Sequence, residues 1–212
     1  MSEKKGFFPM VKLGLVLAIY AAFACVGLAF VYAGTSEIIA QRQQADLEAA
    51  LKELFPDADG FISITDITIL DPMVTIEGDK ENPGNTGAFE AIKNNRTLGV
   101  ALRTSRASYS GPIKILVGVG TDAKIKGIKI LQNTDTPGLG GNTNSKTYFV
   151  DRARGIHFYD QFTGKAVADP FVPKQDVIAI TAATITSTAV SASVKAAGEA
   201  ALSWMRNSGR LR

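Results

Sequence analysis

A long uncharged segment near the N-terminus is the feature that most constrains this chain. Residues 13–33 contain no charged side chain over 21 positions. As a helix they would extend about 31 Å, which matches the hydrocarbon thickness of a bilayer. Lys4, Lys5 and Lys12 flank the start of the segment. Because basic residues favour the cytoplasmic side, we expect a single-pass protein of the cell (inner) membrane with a cytoplasmic N-terminus and an extracytoplasmic C-terminal region.

The sequence leaves two other uses of this segment open. A cleaved signal peptide could end at Val31-Tyr32-Ala33, although its apolar region is usually shorter. A lipoprotein would use Cys25, which lies in the middle of the segment after a weak lipobox. An uncleaved anchor fits the length best, and Cys25 is then a small apolar residue within the span.

The composition excludes several kinds of functional site. Cys25 and His157 are the single cysteine and the single histidine. These counts exclude an internal disulfide, a cysteine-based zinc or iron–sulfur site and a histidine-pair metal site. The net charge is only +3 and no basic stripe with interleaved aromatics is present, so nucleic acid is a poor candidate partner.

Apolar periodicity divides the chain into four parts. These are a cytoplasmic N-terminus (1–12), a transmembrane helix (13–33), a juxtamembrane amphipathic helix capped by Thr35 or Ser36 (34–55) and a domain (56–212). In the domain, a period of two predicts strands at 61–65, 73–76, 98–108, 113–119 and 124–131. The last two strands form a hairpin, with a bulge at Gly127-Ile128. We therefore predict an α+β fold: a single N-terminal transmembrane helix, then an extracytoplasmic domain with an antiparallel sheet and flanking helices.

Three helical segments are also predicted in the domain. Residues 88–94 are predicted to form a helical turn, and residues 148–165 a helix that is packed by its aromatic side chains. The last helix covers 187–206, where apolar residues at helical spacing form one stripe, and the tail 207–210 is predicted to fray. The stripe consists of Val190, Val194, Ala197, Ala201 and Trp204.

Two short segments are candidates for a binding site. Residues 181–187 (Thr-Ala-Ala-Thr-Ile-Thr-Ser) lie directly before the last helix, where free backbone N–H groups and small hydroxyl residues can hold a phosphate. A simple helix cap explains the same residues. Residues 134–142 (Thr-Asp-Thr-Pro-Gly-Leu-Gly-Gly-Asn) form a tight loop that exposes Leu139, and it is either a connector or a ligand lid.

These motifs resemble those of a known family. Residues 181–187 resemble the flavinylation motif Ser/Thr-Gly-Ala-Thr-x-Thr-Ser of FMN-binding domains, and residues 134–140 resemble that family's Glu-Thr-Pro-Gly-Leu-Gly loop. Residues 109–113 (Tyr-Ser-Gly-Pro-Ile) resemble its Gly-Tyr-Gly-Gly-Pro-Ile strand entry. With the single N-terminal span, nearly the whole chain is similar to the G subunits of Rnf ion-translocating electron-transport complexes. These are related to the C subunits of sodium-translocating NADH:quinone oxidoreductases.

The resemblance implies a cofactor and its site. In that family FMN is joined through its phosphate to the last threonine of Ser/Thr-Gly-Ala-Thr, which is Thr184 here. The resemblance places Thr181, Ala183, Thr186 and Ser187 at the phosphate. It places the isoalloxazine against five further residues: Thr136, Gly138, Leu139, Gly140 and Tyr109.

The resemblance also implies a role and partners. The domain at 56–212 would be an FMN-binding domain that relays electrons within an ion-pumping ferredoxin:NAD oxidoreductase complex. It would contact the other subunits and the lipid bilayer, and it would meet a flavin transferase during maturation, because no acid, histidine or lysine lies between 177 and 188 to activate a hydroxyl. The chain shows no ferredoxin, nicotinamide or quinone site of its own and no metal site.

Three positions depart from the family pattern. Ala182 stands where the family usually has glycine, Ile178 where an aspartate often lies, and Asp135 where glutamate is usual. We expect the methyl group of Ala182 to be tolerated if the backbone there has a negative φ. The alternatives are the C subunit of the sodium-translocating quinone reductase, a flavin-free anchored assembly or binding protein, and a threonine-nucleophile hydrolase.

Overall fold

The computed structural model describes residues 4–79 and 85–211, so the first three residues of the predicted cytoplasmic N-terminus lie outside it. The chain forms two compact units, residues 1–46 and residues 47–212. Most of helix α1 (Lys4–Leu54) forms the first unit, and its last turns belong to the second.

Helix α1 is continuous. From Pro9 onward it is the one helix, among the residues described, that is long and apolar enough to span a membrane. Thr35 does not cap a second helix, because its hydroxyl donates to the carbonyl oxygen of Val31 at 2.8 Å. A hydroxyl that bonds back to the preceding turn leaves the helix intact. The segments predicted as transmembrane and juxtamembrane are therefore parts of one helix.

The second unit contains an antiparallel sheet of six strands. Their order is β1-β3-β4-β5-β6, and β2 pairs with β4 beyond the segment that pairs with β3. The predicted α+β class, with an N-terminal apolar helix, an antiparallel sheet and flanking helices, is confirmed. The strands are β1 (Gly60–Ser63), β2 (Val74–Ile76), β3 (Ala88–Lys93), β4 (Arg96–Ala107), β5 (Pro112–Gly120) and β6 (Ile125–Gln132).

The hairpin of β5 and β6 is confirmed. It has one bulge a residue before the predicted position and a second register shift at Leu131. Gly118 faces Gly127 and Val119 faces Ile125, so Lys126 is the extra residue. The bulge keeps the isoleucines of β6 on the buried face. A strong β5–β6 hairpin directly before residues 134–142 fixes the start of that loop.

The predicted helical turn at 88–94 is wrong, because this segment is strand β3. Asn94 and Asn95 join it to β4, with φ values of 48° and 60°. Left-handed conformations at both central positions are those of a type I′ hairpin turn, which asparagine tolerates. The Asn-Asn pair indicates a hairpin turn, and it decides the structure here over the helical pattern of residues 88–94.

The predicted helix at 148–165 is also wrong. The segment forms a small hairpin of β7 (Phe149–Asp151) and β8 (Ile156–His157), followed by a short 3₁₀ turn at Asp160–Phe162. The Asp151 carboxylate accepts a hydrogen bond from the Arg154 N–H, and Gly155 has a φ of 66°. These turn features prevent a helix. The aromatic rings stack across the hairpin instead, and the ring centres of Phe149 and His157 are 4.3 Å apart.

Helix α2 (Thr184–Asn207) covers one face of the sheet, and the last turns of α1 cover the other. The five residues of the predicted stripe are all buried. The tail after α2 is not frayed: the Arg210 guanidinium lies 2.8 Å from the carboxylate of Glu90 and 4.9 Å from the centre of the Trp204 ring. Sheet and helix together hold the N-terminus of α2 in a fixed position.

Candidate functional site

The N-terminus of α2 is formed by an unusual backbone. Ala182 has a φ of 59°, in the left-handed region, and Ala183 is the N-cap with no side-chain hydrogen bond to the helix. The condition under which the Ala182 methyl group would be tolerated, a backbone that is not at positive φ, is therefore not met. A glycine would adopt this conformation without the cost that the Ala182 methyl group imposes, about 1 kcal/mol.

The first turn of α2 offers free hydrogen-bond donors. Within the part of the chain that the structure describes, the N–H groups of Thr184, Ile185 and Thr186 have no acceptor. Thr181 and Thr184 are exposed, and their hydroxyls make no hydrogen bond to another described residue. Orphan N–H groups and the positive end of the helix dipole favour an anion at this point.

The two hydroxyls deeper in the motif are already engaged. Ser187 is fully buried, where its hydroxyl accepts from the Ile180 N–H at 3.0 Å and donates to the Ala183 carbonyl at 2.9 Å. Thr186 is also buried, and its hydroxyl donates to Asp135 at 2.6 Å. These side chains shape the turn, whereas Thr181 and Thr184 present their hydroxyls to solvent.

Asp135 joins the three motifs recognised in the sequence. Its buried carboxylate accepts hydrogen bonds from the hydroxyls of Ser108 and Thr186 and from the N–H of Ser110. Burial opposes ionisation, but these hydrogen bonds outweigh it, so the pKa of Asp135 lies below its ordinary value. The carboxylate therefore ties the end of β4, the loop at 134–142 and the start of α2 together.

Close packing fixes the loop on the same helix turn. A Cβ atom on Gly140 would overlap the Thr186 hydroxyl and lie 2.7 Å from a carboxylate oxygen of Asp135. The Asn133 amide donates to the Gly140 carbonyl at 2.9 Å. Glycine is thus required at 140, since any larger residue would separate the loop from α2.

The tip of the loop is exposed. Gly138 has a φ of 80°, Leu139 is 41% exposed and Thr136 lies at the surface. Tyr109, in the connection between β4 and β5, is 72% exposed. Large apolar side chains that remain in solvent next to a polar anchor are suited to packing against a flat ligand.

A cleft of about 820 Å³ opens beside Thr184. This volume lies in the range of small-molecule sites. Of the ten residues predicted for the site, Thr181 and Thr184 line the cleft, and the other eight do not. Its other walls come from the β7–β8 hairpin, from Gln161 and Lys165, and from residues 174–180 and 182. Four of these side chains are charged: Arg154, Lys165, Lys174 and Asp176.

Sequence reasoning missed the cleft and the anchor. Asp135, Ser108 and Asn133 were not assigned a role, although the short Thr-Asp-Thr segment after a strand is a signal for side-chain capping of a turn. No sequence spacing connects Asp135 with Thr186, which lie 51 residues apart. Among the described residues, no group of three or more metal-ligating side chains is present.

The residues present fit a flavin nucleotide. Three free N–H groups and an exposed hydroxyl at Thr184 are suited to a phosphate, and the adjoining cleft has the volume of a small-molecule site. The fit depends on this donor set and on the basic walls of the cleft, which both favour an anionic ligand.

Two family models match this chain. Residues 108–199 match the family model of the FMN-binding domain, and residues 1–54 match that of the RnfG N-terminal region. The chain is 31% identical to the G subunit of the ion-translocating oxidoreductase complex of Aliivibrio fischeri ES114 over 185 residues, which cover 78% of this chain and 86% of that protein.

Two further relatives bear related names. The G subunit of the Na⁺-translocating ferredoxin:NAD⁺ oxidoreductase complex of Acetobacterium woodii is 29% identical, covering 86% of this chain and 87% of that one. The proton-translocating counterpart of Clostridium ljungdahlii is 29% identical over 81% and 80% of the two chains. Among solved structures, NqrC of Shewanella oneidensis aligns with a TM-score of 0.45 and 14% identity, covering 74% of this chain and 88% of that one. From the N-terminal segment through the FMN-binding domain, the chain belongs to the family of G subunits of ion-translocating oxidoreductase complexes.

Proposed function

We propose that this chain carries FMN as a phosphoester on Thr184 and relays electrons within an ion-translocating ferredoxin:NAD⁺ oxidoreductase complex. The observation that carries the proposal is the uncapped first turn of α2, where the exposed Thr184 hydroxyl borders a cleft of ligand size. The type of complex is that of the relatives from Acetobacterium woodii and Clostridium ljungdahlii.

The choice of Thr184 follows from comparing the four hydroxyls of the motif. Thr186 and Ser187 are buried and bonded internally, so neither can react without rearrangement of the turn. Thr181 is exposed but precedes the left-handed residue at 182, outside the first helical turn. Thr184 is exposed and starts the helix, where the free N–H groups favour the phosphate charge.

The residues around Thr184 would hold the cofactor rather than react with it. When bound, FMN supplies one- and two-electron redox chemistry. The N–H groups of residues 184–186 would hold the phosphate, with Thr181 and the Ala183 backbone beside it. Thr186 and Ser187 contribute by fixing the turn. On the other side, we propose that the loop tip with Thr136, Gly138, Leu139 and Gly140, together with Tyr109, packs against the ring.

Attachment would require a separate flavin transferase. Asp176, the carboxylate that lines the cleft, is engaged by the N–H groups of Phe171 and Val172 and by Lys165. No described side chain within the motif is placed to take the Thr184 proton. The Thr184 oxygen would form the new bond to phosphorus, one P–O bond of the flavin donor would break and release its leaving group, and the Thr184 proton would pass to the transferase. The chain would thus gain the mass of FMN less one water.

We propose that helix α1 anchors the chain in the membrane at 13–33, with residues 1–12 in the cytoplasm. Residues 34–55 would continue the helix outside, and the FMN-binding domain at 56–212 would face the extracytoplasmic side. The support is the apolar composition of α1 and the lysines that precede its span. The other subunits of the complex would then meet the flavin on that side.

Intact mass spectrometry tests the proposal directly. The full chain, produced in cells that contain a flavin transferase, is expected to carry the added FMN mass, and Thr184→Val is expected to lose it while keeping its circular dichroism spectrum. Thr188→Val is the matched control, because it removes an exposed hydroxyl one turn further along α2. Covalent FMN on Thr184→Val, or its absence from the folded natural chain, would refute the assignment.

A further inference from the structure

The cleft beside Thr184 has an excess of positive charge. Three of its lining side chains are cations and one is a carboxylate. Arg154 is paired with Asp151 at 2.6 Å, and Lys165 with Asp176 at 3.1 Å. Within the described residues, Lys174 has no ion pair, although it lines the same cleft. Lys174 is therefore available to pair with an anionic ligand.

The backbone holds Lys174 in a fixed position. Its φ of 71° is left-handed, which is uncommon for lysine, and its N–H donates to the Val177 carbonyl at 2.8 Å. The Asp176 carboxylate accepts from the N–H groups of Phe171 and Val172, so both ends of this turn are fastened. Backbone strain of this kind persists where the surrounding structure enforces it, and such residues cluster at ligand sites.

We infer that Lys174 is the cation that binds the phosphate of the flavin nucleotide held at Thr184. This inference rests on the proposed function. The phosphate monoester carries between one and two negative charges at neutral pH, and a phosphodiester carries one. Thr184, the first residue of α2, and Lys174 border the same cleft, so a phosphate held at Thr184 lies at the wall that faces the space shared with Lys174. Arg154 and Lys165 are already neutralised by their carboxylates, so they cannot supply this charge without losing a partner.

Equilibrium binding can separate the phosphate contact from ring packing. The full chain with Thr184→Val, purified in detergent, is titrated with free FMN and with riboflavin, which has the same ring and no phosphate. We expect Lys174→Gln in this background to weaken FMN binding about fivefold, as for a solvent-accessible ion pair, and to leave riboflavin binding unchanged. The FMN difference should also shrink at high salt. Lys124→Gln is the control, because Lys124 is exposed and lies outside the cleft lining.

Each outcome decides the inference. Equal loss of FMN and riboflavin binding, or no loss of FMN binding, would overturn the role of Lys174. Failure of the Thr184→Val chain to bind FMN would also overturn it. The added FMN mass on the natural chain is measured separately, so the proposed function stands if that mass is present even when Lys174 proves irrelevant. If the mass is absent as well, both proposals fail together.

Discussion

Replacing Asp135 by asparagine removes the charge that joins the three segments of the site. Asparagine has the same shape and can still accept from the Ser110 N–H. Its amide nitrogen, however, would face the hydroxyls of Ser108 and Thr186, which now donate to one carboxylate oxygen. Hydrogen bonds to a charged group contribute about 1.5–3 kcal/mol each. Since the two hydroxyls can rotate and accept from the amide, we expect a net loss of about 2 kcal/mol in the free energy of unfolding at pH 7.

The stabilisation by Asp135 depends on pH. The pKa of Asp135 is lowered in the folded state, so its ionised form stabilises the fold at every pH above the unfolded value of about 4. That stabilisation is lost as the pH falls through the folded-state pKa. The difference in the free energy of unfolding between the natural chain and Asp135→Asn should therefore be largest near neutral pH and should shrink below about pH 4.

Urea unfolding followed by tryptophan fluorescence measures both effects. Trp204 is the single tryptophan and is 8% exposed on α2, so its emission reports the unfolding of this domain. Asp57→Asn is the control, because Asp57 pairs with Lys93 at the surface and should contribute less than about 1 kcal/mol. A loss below about 0.5 kcal/mol for Asp135→Asn, or a difference that stays constant from pH 7 to pH 3, would refute the reasoning.

Two further substitutions test the backbone at 182 and the C-terminal tail. Ala182→Gly should stabilise the domain by about 0.5–1 kcal/mol in urea unfolding, because glycine relieves the φ of 59°, whereas Ala179→Gly, outside the left-handed region, should give no gain. Arg210→Met should cost about 1–2 kcal/mol in the same assay, because it leaves the buried carboxylate of Glu90 without its cation. Adding Glu90→Gln should restore part of that loss, and a double variant no more stable than Arg210→Met would contradict the pairing.

The parts of the fold that depend on local pattern could be predicted from the sequence. The apolar stripe of α2, the β5–β6 hairpin and the long apolar helix α1 all follow from the residue pattern along one element. At 88–94 and 148–165 the turn residues decided the structure, and helical periodicity was a weaker signal. Asn94 and Gly155, with positive φ, mark the two places where the chain reverses.

The site itself could be predicted only in part. Its two motifs were found by resemblance, but the contact that joins them links Asp135 to Thr186, and no local pattern encodes a pair so distant in the chain. The left-handed conformation at Ala182 was also missed, because alanine gives no signal for it. No feature of the sequence indicates that Lys174 belongs to the site, because a single lysine in a loop is ordinarily a solvated surface residue.

The hydrogen bonds of Asp135 imply that folding of the domain precedes attachment of the cofactor. Its carboxylate receives hydrogen bonds from the β4–β5 connection and from α2, the last element of the chain. The arrangement around Thr184 is therefore complete only after the C-terminal helix has docked. A maturation enzyme that recognises this arrangement would pass over nascent or misassembled chains, so loading of the cofactor would serve as a checkpoint for completed folding.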